Sequence, residues 1–177
     1  MVKVHIKFCI FATEKLNDFM YKIRVILDTK EDVIRTILVN DNINLENLHS
    51  TIAKAFGFGG KEMASFYKTN ESWEQGDEMS LFDLGIGKDY SNDSLNTIFN
   101  SENNRLIYVY DFLELWTFFI EVMEISEINK NTTYPNLVFS KGKVPENSPS
   151  KIFQESNSKT DIEKNEDNPC LDYDDFY

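Results

Sequence analysis

The sequence predicts an α+β fold in which one main helix packs on a small mixed β-sheet. Three observations lead to this prediction: an alternating segment and a second strand-like run within residues 21–39, a helical pattern of apolar residues at 45–56, and two strand-like apolar runs at 106–125. With a further strand and a turn between them, the predicted order is ββαβ, a turn, and ββ. This order favours a β-grasp-like arrangement of the sheet.

The first element is a predicted antiparallel hairpin. Apolar side chains occupy every second position from Tyr21 to Leu27, and a second strand-like run, residues 34–39, follows a polar segment at 28–32. A period of two places alternate side chains on one face, so we expect two antiparallel strands with one buried face.

The main helix is predicted between an N-cap and a glycine stop. Asn44 has the residue type of an N-cap, and Gly57 ends the apolar pattern, with Gly59 and Gly60 extending the break. The apolar positions of this helix are Leu45, Leu48, Ile52, Ala55 and Phe56. Residues 57–60 resemble a phosphate-binding loop only superficially, because they follow a helix and lack the Gly-Lys-Ser/Thr ending.

Three further strands and one turn complete the predicted domain. Residues 63–67 and 116–125 have strand patterns, and residues 106–111, apolar on both faces, are expected to form a central strand. Residues 81–86, Leu-Phe-Asp-Leu-Gly-Ile, are expected to form a tight turn or a single helical turn with the leucines in the core.

The predicted domain covers residues 20–147. Residues 1–19 are interpreted as an N-terminal extension, and residues 148–177 as an acidic disordered tail that contains 8 acidic and 3 basic residues. The whole chain has a net charge of −12. Because a polyanion is repelled by this charge, we do not expect binding to nucleic acid or to an anionic membrane.

The chain is expected to be cytoplasmic. Its two cysteines, Cys9 and Cys170, support no disulfide framework and are interpreted as free thiols. The apolar run at residues 8–12 is too short for a signal peptide. The most apolar stretch, residues 106–123, contains three carboxylates, which are costly in a bilayer, so no membrane span is predicted.

No catalytic, metal or cofactor site is predicted. His5 and His49 are the only histidines, and neither has a second ligand within helical or hairpin reach. His49 is expected at the core border with its hydrogen bonds satisfied. A convergent group of carboxylates that holds a divalent cation is the alternative, although we interpret the candidates as solvated surface charge. These candidates are Asp77, Glu78, Asp83, Asp111 and Glu114.

Two sets of residues are candidate interaction sites. In the tail, apolar and aromatic residues interleave with aspartates, a pattern suited to a basic, apolar groove on a protein partner; a purely solubilising tail is the alternative. These tail residues are Leu171, Tyr173, Phe176 and Tyr177. Trp73 in a polar loop and Trp116 beside Glu114 could line a peptide or ligand groove, with core packing favoured for Trp116.

Several segments resemble one protein family. They are the hairpin from Tyr21, the helix with Leu48-His49 that ends in Ala55-Phe56-Gly57, and Tyr108-Val-Tyr-Asp-Phe112 followed by Trp116. Over residues 20–145 the chain resembles the Ri-plasmid open-reading-frame-three-like family, also labelled insertion-element passenger TnpR-like proteins. It is most similar to a divergent subgroup that keeps the motifs at 63–66, 70–74 and 81–85.

The resemblance implies an α+β fold and no established activity, with Met20 as the natural start. The commoner family pattern has histidines near Phe66 and after the Asp-Trp segment, and a cysteine near Tyr134; this chain lacks them. A metal or acid/base site of the family is therefore not expected here. The TnpR-like label suggests a serine recombinase, but residues 21–26 offer no nucleophilic serine after the first strand.

These observations favour a non-enzymatic protein-interaction or adaptor domain. One alternative is a carboxylate-based hydrolase that uses a divalent cation, which would need converging acidic side chains. Another is a nucleic-acid accessory protein of a mobile element, which would need a basic face despite the net charge. The sequence does not specify an oligomeric state.

Overall fold

The computed structural model describes residues 19–81, 88–100, 103–129 and 131–149. Within these ranges the chain forms seven strands and two helices, so the predicted α+β class is confirmed. The elements are β1 (Phe19–Leu27), β2 (Val33–Asn40), α1 (Leu45–Phe56), β3 (Ala64–Thr69), β4 (Gln75–Ser80), α2 (Leu95–Ile98), β5 (Arg105–Tyr110), β6 (Trp116–Glu127) and β7 (Asn136–Lys141).

All seven strands belong to one sheet with the order β4-β3-β5-β6-β1-β2-β7. Every described pairing is antiparallel, and β1 lies between β2 and β6. The expected small mixed sheet is therefore wrong in two respects. The sheet is larger, because β4 and β7 extend it at its two edges, and its described pairings are all antiparallel and not mixed. The β-grasp-like arrangement is not confirmed.

The core lies between one face of the sheet and the two helices. The ring of Phe56 at the end of α1 contacts Phe118 of β6 with centroids 5.0 Å apart, and Phe99 after α2 contacts Tyr21 of β1 at 5.9 Å. Alternate residues of β1 are buried on this face, as the period of two predicts: Tyr21, Ile23, Val25 and Leu27.

The ends of α1 are fixed as the sequence predicts. The Asn44 side chain accepts a hydrogen bond from the Asn47 N–H at 2.9 Å, which satisfies one of the free donors of the first turn. Gly57 ends the helix in the left-handed conformation with φ of 83°, and its N–H donates to the last turn. Neither helix in the described ranges is long and apolar enough to cross a membrane.

The opposite side of the sheet, which we call the open face, carries no helix in the part of the chain that the structure describes. Its side chains alternate along the strands with those of the core face and are a mixture of apolar, polar and charged groups, of which Thr36 is itself buried. They include Lys22, Arg24, Ile26, Ile34, Thr36, Leu38, Val109, Phe119 and Glu121. The predicted turn at residues 81–86 lies outside the described residues except for Leu81, which is buried.

Candidate interaction site at the edge of the sheet

Strand β7 forms one edge of the sheet and exposes large apolar side chains. Leu137, Val138 and Phe139 are 46%, 46% and 51% exposed. One side of β7 pairs with β2, and no strand of the described ranges pairs with its other side. At the other edge, β4 is mostly polar and exposed, which is the usual way in which an edge strand avoids unwanted pairing. Edge β7 lacks this protection.

A β-bulge directs the exposed residues of β7 to both faces. Leu137 lies opposite Ile37 and Phe139 opposite Thr36, with Val138 as the extra residue between them. Ile37 belongs to the core face and Thr36 to the open face. Leu137 therefore lies on the side of α1, whereas Phe139 lies on the open face.

Arg35 connects the end of β7 to the end of α1. The side chain is only 7% exposed, and its guanidinium donates to the Lys141 carbonyl at 2.7 Å, the Gly142 carbonyl at 3.3 Å and the Ala55 carbonyl at 3.1 Å. It also lies over the Phe56 ring, 4.9 Å from the centroid. Burial lowers the pKa of Arg35 from its ordinary value. These contacts fix the distance between helix and edge strand before any ligand binds.

The space between α1 and β7 is a groove of about 930 Å³, which we call the helix-side groove. Its lining contains five asparagines, two hydroxyl residues and Tyr134, and Lys54 is the only charged residue. The lining residues are Ile37, Asn40, Asn42, Ile43, Asn44, Asn47, Ser50, Thr51, Lys54, Ala55, Asn92, Tyr134, Pro135 and Leu137. A carboxylate-free lining is unexpected in a chain with a net charge of −12.

Part of the polar lining is already bonded within the protein. The Thr51 hydroxyl donates to the Asn47 carbonyl at 2.7 Å, and the Tyr134 hydroxyl accepts from the Asn129 N–H at 3.2 Å. The buried Oδ1 of Asn40 has no hydrogen-bond partner among the described atoms. An unpaired buried polar atom is costly, and such atoms are often paired by a ligand or water.

A second groove of about 670 Å³ lies on the other side of β7, and we call it the open-face groove. Its lining combines three cations with apolar side chains and contains no carboxylate: Lys22, Arg24, Ile34, Thr36, Val138, Phe139 and Lys141. Each cation also contacts a carboxylate outside the lining, in the pairs Lys22–Glu124 at 3.4 Å, Arg24–Glu121 at 3.2 Å and Lys141–Asp32 at 2.7 Å.

The two tryptophans lie on opposite faces of the sheet. Trp116 is 6% exposed and contacts Phe58 in the core with ring centroids 5.0 Å apart, which is the favoured expectation for it. Trp73 is half-buried with φ of 61°, and its ring contacts Phe119 on the open face at 5.0 Å and lies 5.2 Å from the Arg105 guanidinium. The structure does not bring them together. The tail candidates at 171, 173, 176 and 177 lie outside the described residues.

His49 has the environment predicted for it. The side chain is 6% exposed, Nδ1 lies 2.8 Å from the Tyr108 hydroxyl, and Nε2 lies 3.2 Å from the Gly60 carbonyl. Burial lowers the pKa of His49, more than its bond to Gly60 raises it. Burial also raises the pKa of the Tyr108 hydroxyl. Both groups are therefore neutral near pH 7.

The candidate carboxylates have separate local contacts. Asp77 pairs with Lys68 at 3.7 Å, Glu78 accepts from the Ser65 hydroxyl at 2.7 Å, and Glu114 accepts from the Ser148 hydroxyl at 2.9 Å. The Asp111 carboxylate accepts from the Leu113 N–H in its own turn, and Asp83 lies outside the described residues. In the described ranges, no three Asp, Glu, His or Cys side chains are grouped as metal ligands.

Sequence reasoning missed three elements, β4, α2 and β7, of which β7 forms this site. Residues 136–141, Asn-Leu-Val-Phe-Ser-Lys, contain three consecutive residues with strand-like composition, which was the available signal. The bulge disrupts their alternation, so the run does not show the period of a half-buried strand.

Comparison with known proteins identifies a family and a similar fold. The model of a family described as plasmid pRiA4b ORF-3-like protein matches residues 19–167, which confirms the predicted resemblance. A crystal structure of a protein of unknown function from Methanosarcina mazei Go1 has a TM-score of 0.64 and 22% identity. That similarity covers 73% of this chain and 74% of the other chain, and at this identity it shows the fold alone. No curated protein matches the chain.

Proposed function

Because this chain belongs to the plasmid pRiA4b ORF-3-like family, whose description specifies no activity, we propose a function from its structure: it is a non-enzymatic protein-interaction domain. The helix-side groove and the free edge of β7 bind an extended segment of a partner protein. In this mode the partner's main chain pairs with the edge strand, and its side chains enter the groove beneath α1.

The exposed edge of β7 is the observation that carries this proposal. A strand edge presents unpaired N–H and C=O groups that an extended peptide can satisfy. Leu137 is 46% exposed beside these groups, at the border of the helix-side groove. An apolar side chain of the bound segment could cover Leu137, which would remove the apolar surface of both side chains from water. Burial of apolar surface is the main source of favourable free energy in most protein association.

The size of the groove fits one short segment. The six residues of β7 extend over about 20 Å. The volume of about 930 Å³ lies in the range, roughly 300–1,000 Å³, that is typical of ligand sites. A segment of about six residues can therefore pair along β7 and place alternate side chains in the groove.

The lining indicates the chemistry of the bound segment. Asparagine side chains offer both donors and acceptors, so they match main-chain amides and polar side chains. Lys54, in the last turn of α1, is the only charged residue among those that line the groove. We therefore expect a segment that is neutral or carries one acidic residue near the C-terminal end of α1.

The other two functions considered from the sequence have less support. The described acidic candidates are held in separate local contacts. The chain has a net charge of −12, and each cation of the open-face groove lies beside a carboxylate, so this face is not the continuous basic surface that a long polyanion needs.

Selection of peptides from a random displayed library, with the full chain as bait, tests the proposal. The selected peptides are then titrated by calorimetry against the wild type, Leu137→Asp and Leu113→Asp. Leu113 is 95% exposed in the turn between β5 and β6, so it is a matched control away from β7. We expect Leu137→Asp to weaken binding by about tenfold or more and Leu113→Asp to leave it unchanged.

Hydrogen exchange locates the bound peptide. Saturation with a selected peptide should protect the amides of β7, because these are the groups that pair with an added strand. Selected peptides that bind Leu137→Asp as tightly as wild type, or a selection that enriches no peptide, would contradict the proposal.

A further inference from the structure

We propose that residues 170–177 of this chain bind in the open-face groove of the same molecule. This groove lies on the opposite side of β7 from the helix-side groove, so the inference does not depend on the proposed function. The segment begins after residue 167, where the family match ends.

The groove has the chemistry that an acidic, aromatic segment requires. Val138 and Phe139 supply exposed apolar surface beside the cations Lys22, Arg24 and Lys141. The cation side chains are 41%, 41% and 55% exposed; the pairs of Lys22 and Lys141 with carboxylates outside the lining are solvent-exposed, and that of Arg24 with Glu121 is partly buried. An exposed pair contributes at most about 1 kcal/mol, and an ammonium group has three donors, so Lys22 and Lys141 can accept further carboxylate partners.

The sequence of the segment matches this groove. Residues 170–177 read Cys-Leu-Asp-Tyr-Asp-Asp-Phe-Tyr, which combines three aspartates with four apolar or aromatic residues. In an extended chain, successive side chains point to opposite sides, so Leu171 and Tyr173 share one side while Asp172 and Asp174 share the other. The side with Leu171 and Tyr173 can cover the apolar surface of β7 while Asp172 and Asp174 reach the cations. Phe176 falls on the side of these two aspartates, where its ring can stack on a cation.

The path of the chain favours the same molecule over a second copy. Ser148, near the end of the described chain, donates to Glu114 in the turn between β5 and β6. From β6 to β7 is three strand spacings, or about 15 Å. The 20 residues 150–169 can reach at most about 70 Å when fully extended, so the chain is long enough for this span. A linker of this length gives an effective concentration on the order of millimolar.

Binding of this segment would cover the exposed side chains of β7 on the open face. Val138 and Phe139 are the residues that would otherwise make this edge prone to association with other strands. The segment therefore acts as an intramolecular cover for the open-face side of the edge.

Disulfide trapping with the native Cys170 tests this inference. In the full chain with Cys9→Ser, a cysteine is introduced at Val138, which lines the open-face groove, or at Ser140, an exposed residue of β7 on the opposite face. Oxidation with glutathione disulfide is followed by non-reducing electrophoresis and peptide mass spectrometry. We expect Val138→Cys to form an intramolecular bond with Cys170 about tenfold faster than Ser140→Cys.

Two further variants separate specific binding from chance collision. The double substitution Lys22→Glu and Arg24→Glu should slow disulfide formation at position 138 by about tenfold. High salt should slow disulfide formation in the Cys9→Ser, Val138→Cys chain as well, because it screens exposed charges. Phe176→Ala with Tyr177→Ala should slow it as well. Circular dichroism of each variant confirms that it is folded.

The possible outcomes decide the inference. Equal trapping rates at positions 138 and 140 would show that the segment has no preferred site and would overturn it. Trapping at 138 that is insensitive to the charge and aromatic substitutions would do the same. A covalent dimer in place of the intramolecular product would show that the groove binds a second copy, and would overturn binding within one molecule.

Discussion

Replacing Arg35 by methionine should detach the end of β7 from α1. Methionine keeps much of the apolar contact with Phe56 but removes the donors to the Ala55 and Lys141 carbonyls at 3.1 and 2.7 Å. A hydrogen bond from a charged donor contributes about 1.5–3 kcal/mol. Water can replace part of each bond, so we expect the free energy of unfolding to fall by about 3 kcal/mol.

Urea unfolding, followed by far-UV circular dichroism and tryptophan fluorescence, measures this change. A loss of about 3 kcal/mol corresponds to a decrease in Tm of roughly 10 °C for a domain of this size. Arg35→Lys keeps the charge but has a single ammonium in place of the planar fork, so it should lose about half as much. Hydrogen exchange should show faster exchange in residues 136–141 of Arg35→Met, because this strand is held at the sheet edge.

Two results would refute this reasoning. One is an Arg35→Met variant whose free energy of unfolding is within about 0.5 kcal/mol of wild type, the range of an unremarkable surface change. The other is an Arg35→Lys variant less stable than Arg35→Met, since that would show that the buried charge costs more than the hydrogen bonds contribute. If the Arg35 contacts with β7 and α1 preform the helix-side groove, Arg35→Met should also weaken binding of the selected peptides.

Three further predictions concern stability. His49 has a folded pKa below its ordinary value of 6.5, so as the pH falls below 6.5 the unfolded state gains a proton that the folded state does not. Stability should therefore fall with a slope of up to about 1.4 kcal/mol per pH unit, and His49→Gln should remove this contribution to the slope below pH 6.5. Gly142→Ala should cost about 2–3 kcal/mol in urea unfolding, because Gly142 has φ of 76° and an added Cβ would collide with the Asp32 carbonyl oxygen. Asn44→Ala should cost about 1 kcal/mol through loss of the α1 cap, measured in the same way.

Each of these predictions has a control. Titration of Asp32 does not interfere with the His49 measurement above pH 4. Lys141 lowers the pKa of Asp32 from 3.8, so the stabilising effect of this ion pair is lost only below about pH 4. Gly59→Ala is the partner for Gly142→Ala, because nothing lies within 4 Å of its added Cβ, and it should be nearly neutral. Asn42→Ala is matched to Asn44→Ala. Equal effects within either pair, or a pH slope that His49→Gln leaves unchanged, would contradict the structural reason given.

The elements that sequence predicts well are those whose pattern matches their burial. β1 alternates in burial because one of its faces lies on the core, and α1 carries its own start and stop signals in Asn44 and Gly57. Local chemistry is enough in these cases, since a cap or a period requires no knowledge of distant residues. The family resemblance was also recoverable, because it depends on short motifs.

The edge strands and the grooves could not be predicted in the same way. β4 contains a single buried residue, Met79, so its pairing with β3 leaves almost no apolar period to detect. The helix-side groove joins residues from β2, α1 and the segment around Tyr134, which are brought together only by the pairing of β7 with β2. The contact between Trp73 and Phe119 also depends on the strand order, which brings the β3–β4 turn and β6 to the same region of the sheet.

The position of β1 in the middle of the sheet has a consequence for synthesis of the protein. Phe19 pairs with Glu127, so the second edge of β1 has no partner until β6 has left the ribosome. At about 5–20 residues per second, this interval lasts roughly 5–20 s. During that time the hairpin and α1 already exist as a chain with one apolar edge uncovered. Until β6 is available, this edge of β1 is exposed to pairing with other strands, and truncation before β6 would leave a product that cannot complete its sheet.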